Sequence, residues 1–216
     1  MPTTTILSQR TTRDESALLV GTMTLAEYLA HEQATGERHE FLEGQVFRMP
    51  GGSPTHNMIV VDTTVALSIA LQRAGVGDVL GSDQKVAVGG TRYRYPDVTV
   101  IGTEPQFDEN NALLNPVLLV EVLSPSTERE DRTDKFRDYQ QLRSLRHYIL
   151  IEQDRVSVTH FEKMMGELWA IVGDYTEISA NLQIRVSDVP VSVPLASVYR
   201  RASLASAAEE NEPEAS

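Results

Sequence analysis

Two carboxylates interrupt apolar runs where nothing nearby accounts for a charge: Asp97 opens PDVTVI, and Glu121 sits in PVLLVEVL. A carboxylate withdrawn from water without a partner is costly, so each is solvated at a strand end, ion-paired or bound to a cation. If the two strands are consecutive and antiparallel, the first residues of one lie opposite the last of the other, and Asp97 faces Glu121. Parity agrees: Tyr93, Tyr95, Asp97 and Thr99 share one face, as do Val117, Leu119 and Glu121. Two carboxylates that close repel unless a cation separates them, and an oxygen-lined site with open positions suits Mg²⁺ or Mn²⁺. The plainer alternative is Pro-Asp turn chemistry and a Glu at a strand end on the surface.

The helix that follows adds a third group. Asp131, Lys135 and Tyr139 are spaced i, i+4, i+8 and line up on one face. The short SPST turn lets Lys135 project toward the strand end carrying Glu121. There an ammonium could stabilise a phosphate or orient an attacking water; otherwise Lys135 forms an Asp131–Lys135 surface pair worth a few tenths of a kcal/mol.

The elements that must position these groups can be read along the chain. Thr24 and Glu27 form a capping box for LAEYLAHEQ, and RHEFLEGQVFRMPGG reads as a hairpin turning at Glu43-Gly44. Ser53-Pro54 opens a helix whose apolar positions are Ile59, Val60, Leu67, Ile69, Ala70 and Leu71, stopping near Ala74-Gly75. Three strand-like runs follow, DVLGSDQKVAVGG, RYRYPDVTVIG and NPVLLVEVLS, with Gly89-Gly90 as a hairpin turn between the first two. A second capping box, Thr127 with Glu130, opens EREDRTDKFRDYQQL. HYILIEQ, VSVTHFEK and LWAIVGDY complete the body as strands. This order predicts an α/β or α+β fold: a central mixed sheet flanked by helices, with an N-terminal helix and hairpin.

Composition sets the bounds. The 216 residues are 41% hydrophobic and 23% charged, which is ordinary for a globular chain. No apolar run is long enough to span a membrane and no secretory signal is evident, so the expected location is cytoplasmic. Zero cysteines exclude disulfides, a thiolate nucleophile and Cys-based zinc. The net charge of -12 argues against broad nucleic-acid binding. However, AAEENEPEAS at the C-terminus holds four Glu and no Lys or Arg, so part of that charge lies in a tail. The expected organisation is a flexible segment over 1–20, one domain over 21–201 and an acidic disordered tail over 202–216. Arg92, Arg94, Arg129, Arg132, Lys135, Arg137, Arg143 and Arg146 gather near the carboxylates as a local basic rim, diluted by interleaved acids, which predicts weak, salt-sensitive binding.

PDVTV, VEVLSPST and D-x-x-x-K-x-x-x-Y, preceded by ERHEFLEGQV and GGSPTHN, resemble the Uma-two family of the restriction-endonuclease-like PD-(D/E)XK nuclease superfamily. The resemblance runs from about Met23 to Tyr199. It implies a restriction-endonuclease-like core and a Mg²⁺-dependent endonuclease acting on DNA, with Asp97 and Glu121 binding metal. Leu123 stands where the superfamily motif has Lys, and Lys135 matches the migrated lysine of some families. A superfamily Glu on the first core helix has only Asp62 as its counterpart in the helix from Ser53.

Secondary candidates are Glu40, completing the metal shell or pairing with an Arg; His56, contacting metal or its water or helping to cap its helix; Asp83, as a third carboxylate on the strand beside Asp97; and Tyr139. His31, His39, His147 and His160 have no metal-like spacing. The resemblance also implies a possible homodimer, since superfamily nucleases often pair to cut two strands. The departure at Leu123 and the acidic surface point alternatively to an inactive nuclease-fold module that binds nucleic acid or protein.

Overall fold

A computed structural model describes residues 18–49, 51–125, 127–202 and 204. Most of the tail expected over 202–216 and most of the flexible segment expected over 1–20 lie outside these residues; Ala202 and Leu204, inside the expected tail, pack against the main core. The described chain begins in a strand, β1 (Leu18–Thr22), so the N-terminal boundary expected at 20 falls inside an element.

Helix α1 (Leu25–Thr35) carries the expected capping box: the Glu27 amide donates to Thr24 Oγ1 and the Thr24 amide to Glu27 Oε2. Strands β2 (His39–Leu42) and β3 (Gln45–Arg48) form the expected hairpin, with Glu43 and Gly44 at φ of 51° and 93°. Helix α2 (Pro54–Ala74) starts at the Ser53 cap and ends on Gly75, φ 68°. Its buried residues include Ile59, Ala66, Leu67 and Leu71, whereas Ile69, expected inside, is 44% exposed on the outer face.

The next runs are divided differently from the expectation. DVLGSDQKVAV forms β4 (Asp78–Leu80) and β5 (Val86–Val88), while RYRYPDVTVI forms β6 (Arg92–Arg94) and β7 (Val98–Ile101). β5 and β6 pair across the Gly89-Gly90 turn in one sheet; β4 and β7 pair in another. Pro96 explains the division of the second run: it has no amide to donate and restricts Tyr95 before it, so the chain changes sheets there.

β8 (Leu118–Leu123) is followed by one continuous helical segment built of α3 (Glu128–Glu130), a π turn (Asp131–Lys135) and α4 (Phe136–Tyr139). The second capping box does not form, because the Thr127 side chain makes no cap bond and Glu130 turns inward to Arg94. Beyond lie β9 (His147–Glu152), β10 (Val158–Lys163) and β11 (Trp169–Tyr175) as expected. A further hairpin, β12 (Asn181–Val186) and β13 (Val189–Pro194), and the short α5 (Leu195–Val198) complete the body.

The principal sheet has the order β11-β10-β9-β8-β7-β4 and is mixed, with β8 and β9 parallel and the other pairs antiparallel. LLVEVL and HYILIE are buried along their whole length, as central parallel strands covered on both faces must be. Alternation then sorts their side chains. Leu118, Val120, Val122, Ile149 and Ile151 pack with α2 and the β12–β13 hairpin, while Leu119, Leu123, Tyr148 and Leu150 pack with Tyr139 and Leu142. The second sheet, β1-β3-β2-β6-β5, closes over a smaller cluster around Tyr28, Phe41 and Tyr93. Among the described residues, no helix is long and apolar enough to cross a membrane.

Candidate active site

The ladder between β7 and β8 pairs Val98 with Val120 and Thr99 with Leu119. One step further, the same register sets Asp97 opposite Glu121. The local reason is parity together with Pro96, which starts β7 one residue after the carboxylate. Asp97 Oδ2 accepts the Val122 amide at 2.7 Å, which fixes the carboxylate against the neighbouring strand.

Elements on both faces of the sheet complete the site. From the α2 side, His56 Nε2 lies 3.3 Å from Asp97 Oδ2. Burial disfavours the imidazolium, but the hydrogen bond and charge of Asp97 outweigh it and raise the His56 pKa. His56 also supplies the amide that donates to the Ser53 cap, so its backbone caps the helix while its ring reaches the site. Gly52 makes room for that ring, since a Cβ there would stand 2.6 Å from His56 Nδ1.

From the other face, the helical segment lays Asp131, Lys135 and Tyr139 against Glu121. Lys135 Nζ is 2.8 Å from Asp131 Oδ1 and 3.2 Å from Glu121 Oε2, and the Tyr139 hydroxyl donates to Glu121 Oε1 at 2.8 Å. All four side chains are buried, so the Asp131–Lys135 pair is an interior one rather than a surface pair. The Tyr148 hydroxyl donates to the Asp131 carbonyl at 2.8 Å and so fixes the start of the π turn, a distortion often found at functional sites.

Burial is the main force lifting Glu121 well above the usual carboxylate range; Asp131 and Asp97 add to it, and Lys135 and Tyr139 oppose it. Asp131 is raised for the same leading reason. For Lys135, burial favours the neutral amine, but the charges of Asp131 and Glu121 prevail and hold the ammonium far above its ordinary range. Burial and the adjacent Glu121 likewise push the Tyr139 phenol well up.

The sequence candidates therefore divide. Asp97, Glu121, Lys135, Tyr139 and His56 converge. Glu40 does not join the carboxylate pair but accepts from Arg94 at 2.7 Å, which is the arginine alternative. Asp83 is not on the strand beside Asp97. It lies in the turn between β4 and β5, its side chain is 92% exposed, and it pairs with Arg38. The third carboxylate is instead Asp131, recognisable in the sequence as the first member of the i, i+4, i+8 row. Asp62, the only acid of α2, binds Arg200 and Arg201 and secures the C-terminal segment away from the site.

The basic rim is also corrected. Arg94 is 1% exposed and spends its guanidinium on Glu40, Glu130 and Asp138, which joins the small sheet to the helical segment. Arg92 pairs with Glu43 and Asp138, and Arg132 with Glu128 and Glu152. A cleft of about 390 Å³ opens beside the site between the start of α2 and the ends of β8 and β9. It is lined by Ser53, Ser124 and Gln153 together with Glu128, Glu152 and Asp154.

Three comparisons bear on this arrangement. Residues 25–192 match the family model described as "Uma2: Putative restriction endonuclease". Two Synechocystis sp. proteins are similar: "Uncharacterized protein sll1609", 33% identical over 166 residues covering 72% of this chain and 91% of the relative, and "Uncharacterized protein slr1290", 31% identical over 175 residues covering 81% and 90%. Among solved structures, "a putative nuclease belonging to DUF820" from Anabaena variabilis superposes with a TM-score of 0.60 at 15% identity, covering 80% of this chain and 97% of the other, a likeness of fold. With a family model spanning most of its length and relatives above 30% identity, this chain belongs to the Uma2 family of putative restriction endonucleases.

Proposed function

We propose that this chain is a divalent-cation-dependent endonuclease with a restriction-endonuclease-like core, hydrolysing phosphodiester bonds of DNA. The observation that carries the reading is the convergence of Asp97, Glu121 and Lys135 at one end of the principal sheet.

The residues fit a hard cation such as Mg²⁺ or Mn²⁺. Asp97 uses Oδ2 for its two contacts and retains 18% side-chain exposure, while Glu121, opposite it, has a pKa raised well above normal by burial and by nearby Asp131 and Asp97, a setting that a cation would relieve. Asp97 and Glu121 would hold the ion, which when bound supplies an acidified water and offsets charge on the phosphate. The remaining roles belong to the protein. Val122 and His56 orient Asp97, and Tyr139 and Lys135 orient Glu121. Lys135 stays protonated, so it acts as a positive charge and hydrogen-bond donor and not as the general base. His56 hydrogen-bonds Asp97 with a pKa raised from that of a free imidazole, which suits it to exchange a proton at this end of the site.

Supercoiled plasmid incubated with Mg²⁺ or Mn²⁺ should be nicked or cut by the native protein and spared by Asp97→Ala and Glu121→Ala. Equal cleavage by all three would assign the activity to a contaminant and end the proposal. The consumption of Arg92, Arg94 and Arg132 by internal ion pairs favours a second reading, an inactive nuclease-fold module that binds nucleic acid or protein. Titration calorimetry with Mg²⁺ separates the two: binding that is lost in Glu121→Ala supports the enzyme, and no binding supports the module.

A further inference from the structure

Away from the carboxylate site, the β9–β10 ladder gathers a second set of donors. Glu162 pairs directly with His147, and His160 lies two residues before Glu162, so all three side chains leave the same face of the sheet. Their ligand atoms all lie within 4.8 Å of one another, with His147 Nδ1 and His160 Nε2 only 3.0 Å apart. Both histidines are 1% exposed, while Glu162 and His147 border a cleft of about 390 Å³ beside the β12–β13 turn.

The geometry points to a binding site for a borderline transition-metal cation of the Zn²⁺ class, with His147, His160 and Glu162 as ligands and the cleft as its entry. Two imidazoles and one carboxylate leave a fourth position open to water from that cleft. Tetrahedral zinc–nitrogen bonds of about 2.0–2.1 Å put two ligand nitrogens about 3.4 Å apart, so the observed pair needs to separate by only a few tenths of an ångström. His147 Nε2 is 2.9 Å from the Arg185 carbonyl oxygen and 3.3 Å from the Arg185 amide nitrogen, so the shorter contact is the one in which Nε2 donates. If the proton sits on Nε2, that contact leaves Nδ1 with its lone pair toward His160, the orientation that outer hydrogen bonds impose on metal-bound histidines.

The electrostatics agree with this geometry. Burial lowers the pKa of His147, and burial together with His147 brings His160 down to about 4, so both rings are neutral at pH 7 and available to a metal. The ligand types also separate this site from the all-carboxylate pair at Asp97 and Glu121, because imidazole favours zinc-class ions and carboxylate favours magnesium. Loaded, the site would clamp β9 and β10 to the terminal hairpin through the Arg185 contact.

Zn²⁺ titration of the full chain by calorimetry, in excess Mg²⁺ to occupy the carboxylate site, tests the assignment. One equivalent should bind, Asp97→Ala should bind it equally, and Glu162→Gln and His160→Gln should each weaken it about 100-fold or more, beyond what loss of an outer-shell partner does. Co²⁺ should give the visible absorption of a tetrahedral ion in the native protein and not in Glu162→Gln. Glu162 is only partly buried, so that variant keeps the test decisive if His160→Gln does not fold. Absence of zinc binding, loss of binding in Asp97→Ala, or native affinity in Glu162→Gln would each overturn the site.

Discussion

Lys135→Met separates the electrostatics of the site from its packing, because the two side chains are unbranched and similar in length. The Lys135 ammonium lies between Asp131 and Glu121, whose side chains are 2% and 3% exposed. Removing one partner of a buried ion pair costs about 3–5 kcal/mol when the carboxylates left behind stay charged. Here they can escape by taking up protons, because burial already holds both pKa values above normal and the group that restrains them is gone.

The sign follows from linkage. A carboxyl whose folded pKa exceeds its unfolded value of about 4 contributes stability that is complete below pH 4 and is lost as pH rises through the folded pKa. Lys135→Met raises the folded values further, so its penalty opens as pH rises past the native folded values toward those of the variant. The penalty should therefore be largest at the alkaline end, approaching the about 3–5 kcal/mol of a buried charge left without its partner, and smallest near pH 4, where the carboxyls are protonated in both proteins. Urea unfolding in EDTA at intervals from pH 4 to 8 measures the difference directly. A native-to-variant gap that does not change with pH would refute this account of the site.

Other changes address the surrounding parts. Gly52→Ala should push the His56 ring from Asp97 and lower the His56 pKa in an NMR titration, since the new Cβ would stand 2.6 Å from Nδ1; an unchanged titration would contradict the packing argument. Tyr139→Phe removes the donor to Glu121 Oε1 and should destabilise the fold by about 1–3 kcal/mol in urea melts, where no change would show that the contact is dispensable. Arg94→Met leaves Glu40, Glu130 and Asp138 buried without their shared cation and should cost at least about 3–5 kcal/mol. Asp83→Ala, on an exposed turn, should stay within about 0.5 kcal/mol of native and leave Mg²⁺ binding unchanged by calorimetry.

The parts of the site that were legible in the sequence are those set by a short-range period. Strand alternation placed Asp97 against Glu121, and four-residue spacing placed Asp131, Lys135 and Tyr139 on one face. What the sequence did not disclose depends on which strand neighbours which. Tyr93-Arg94-Tyr95 reads as a two-faced strand on the way to Asp97, yet Arg94 belongs to the other sheet and meets acids from two separate segments, Glu40 on β2 and Glu130 and Asp138 on the helical segment after β8. His147 and His160 have no telling spacing along the chain and meet only because β9 and β10 pair in that register. The β12–β13 hairpin had a clear alternation in NLQIRV, but its turn uses Ser187 and Asp188 at φ of 48° and 65°, without the glycine that usually marks such a turn.

The widened turn at Asp131–Lys135 makes the length of this segment matter as much as its composition. In a regular α-helix, residues four apart advance around the axis by about 40° at each step, so a row of three drifts off any flat surface. One turn holding an extra residue takes up much of that drift, and Asp131 and Tyr139 can both reach the same strand through one rigid rod. Deleting a single residue such as Thr133 would restore ordinary helical winding and improve the local backbone regularity. The row would then fall at i, i+3 and i+7, still on one face, with its two ends about 1.5 Å closer along the axis. The extra residue therefore sets the spacing of the row along β8 and not which face it occupies: the loss of one codon between Glu130 and Phe136 would keep a helix with the same inward face but shorten the reach from Asp131 to Tyr139.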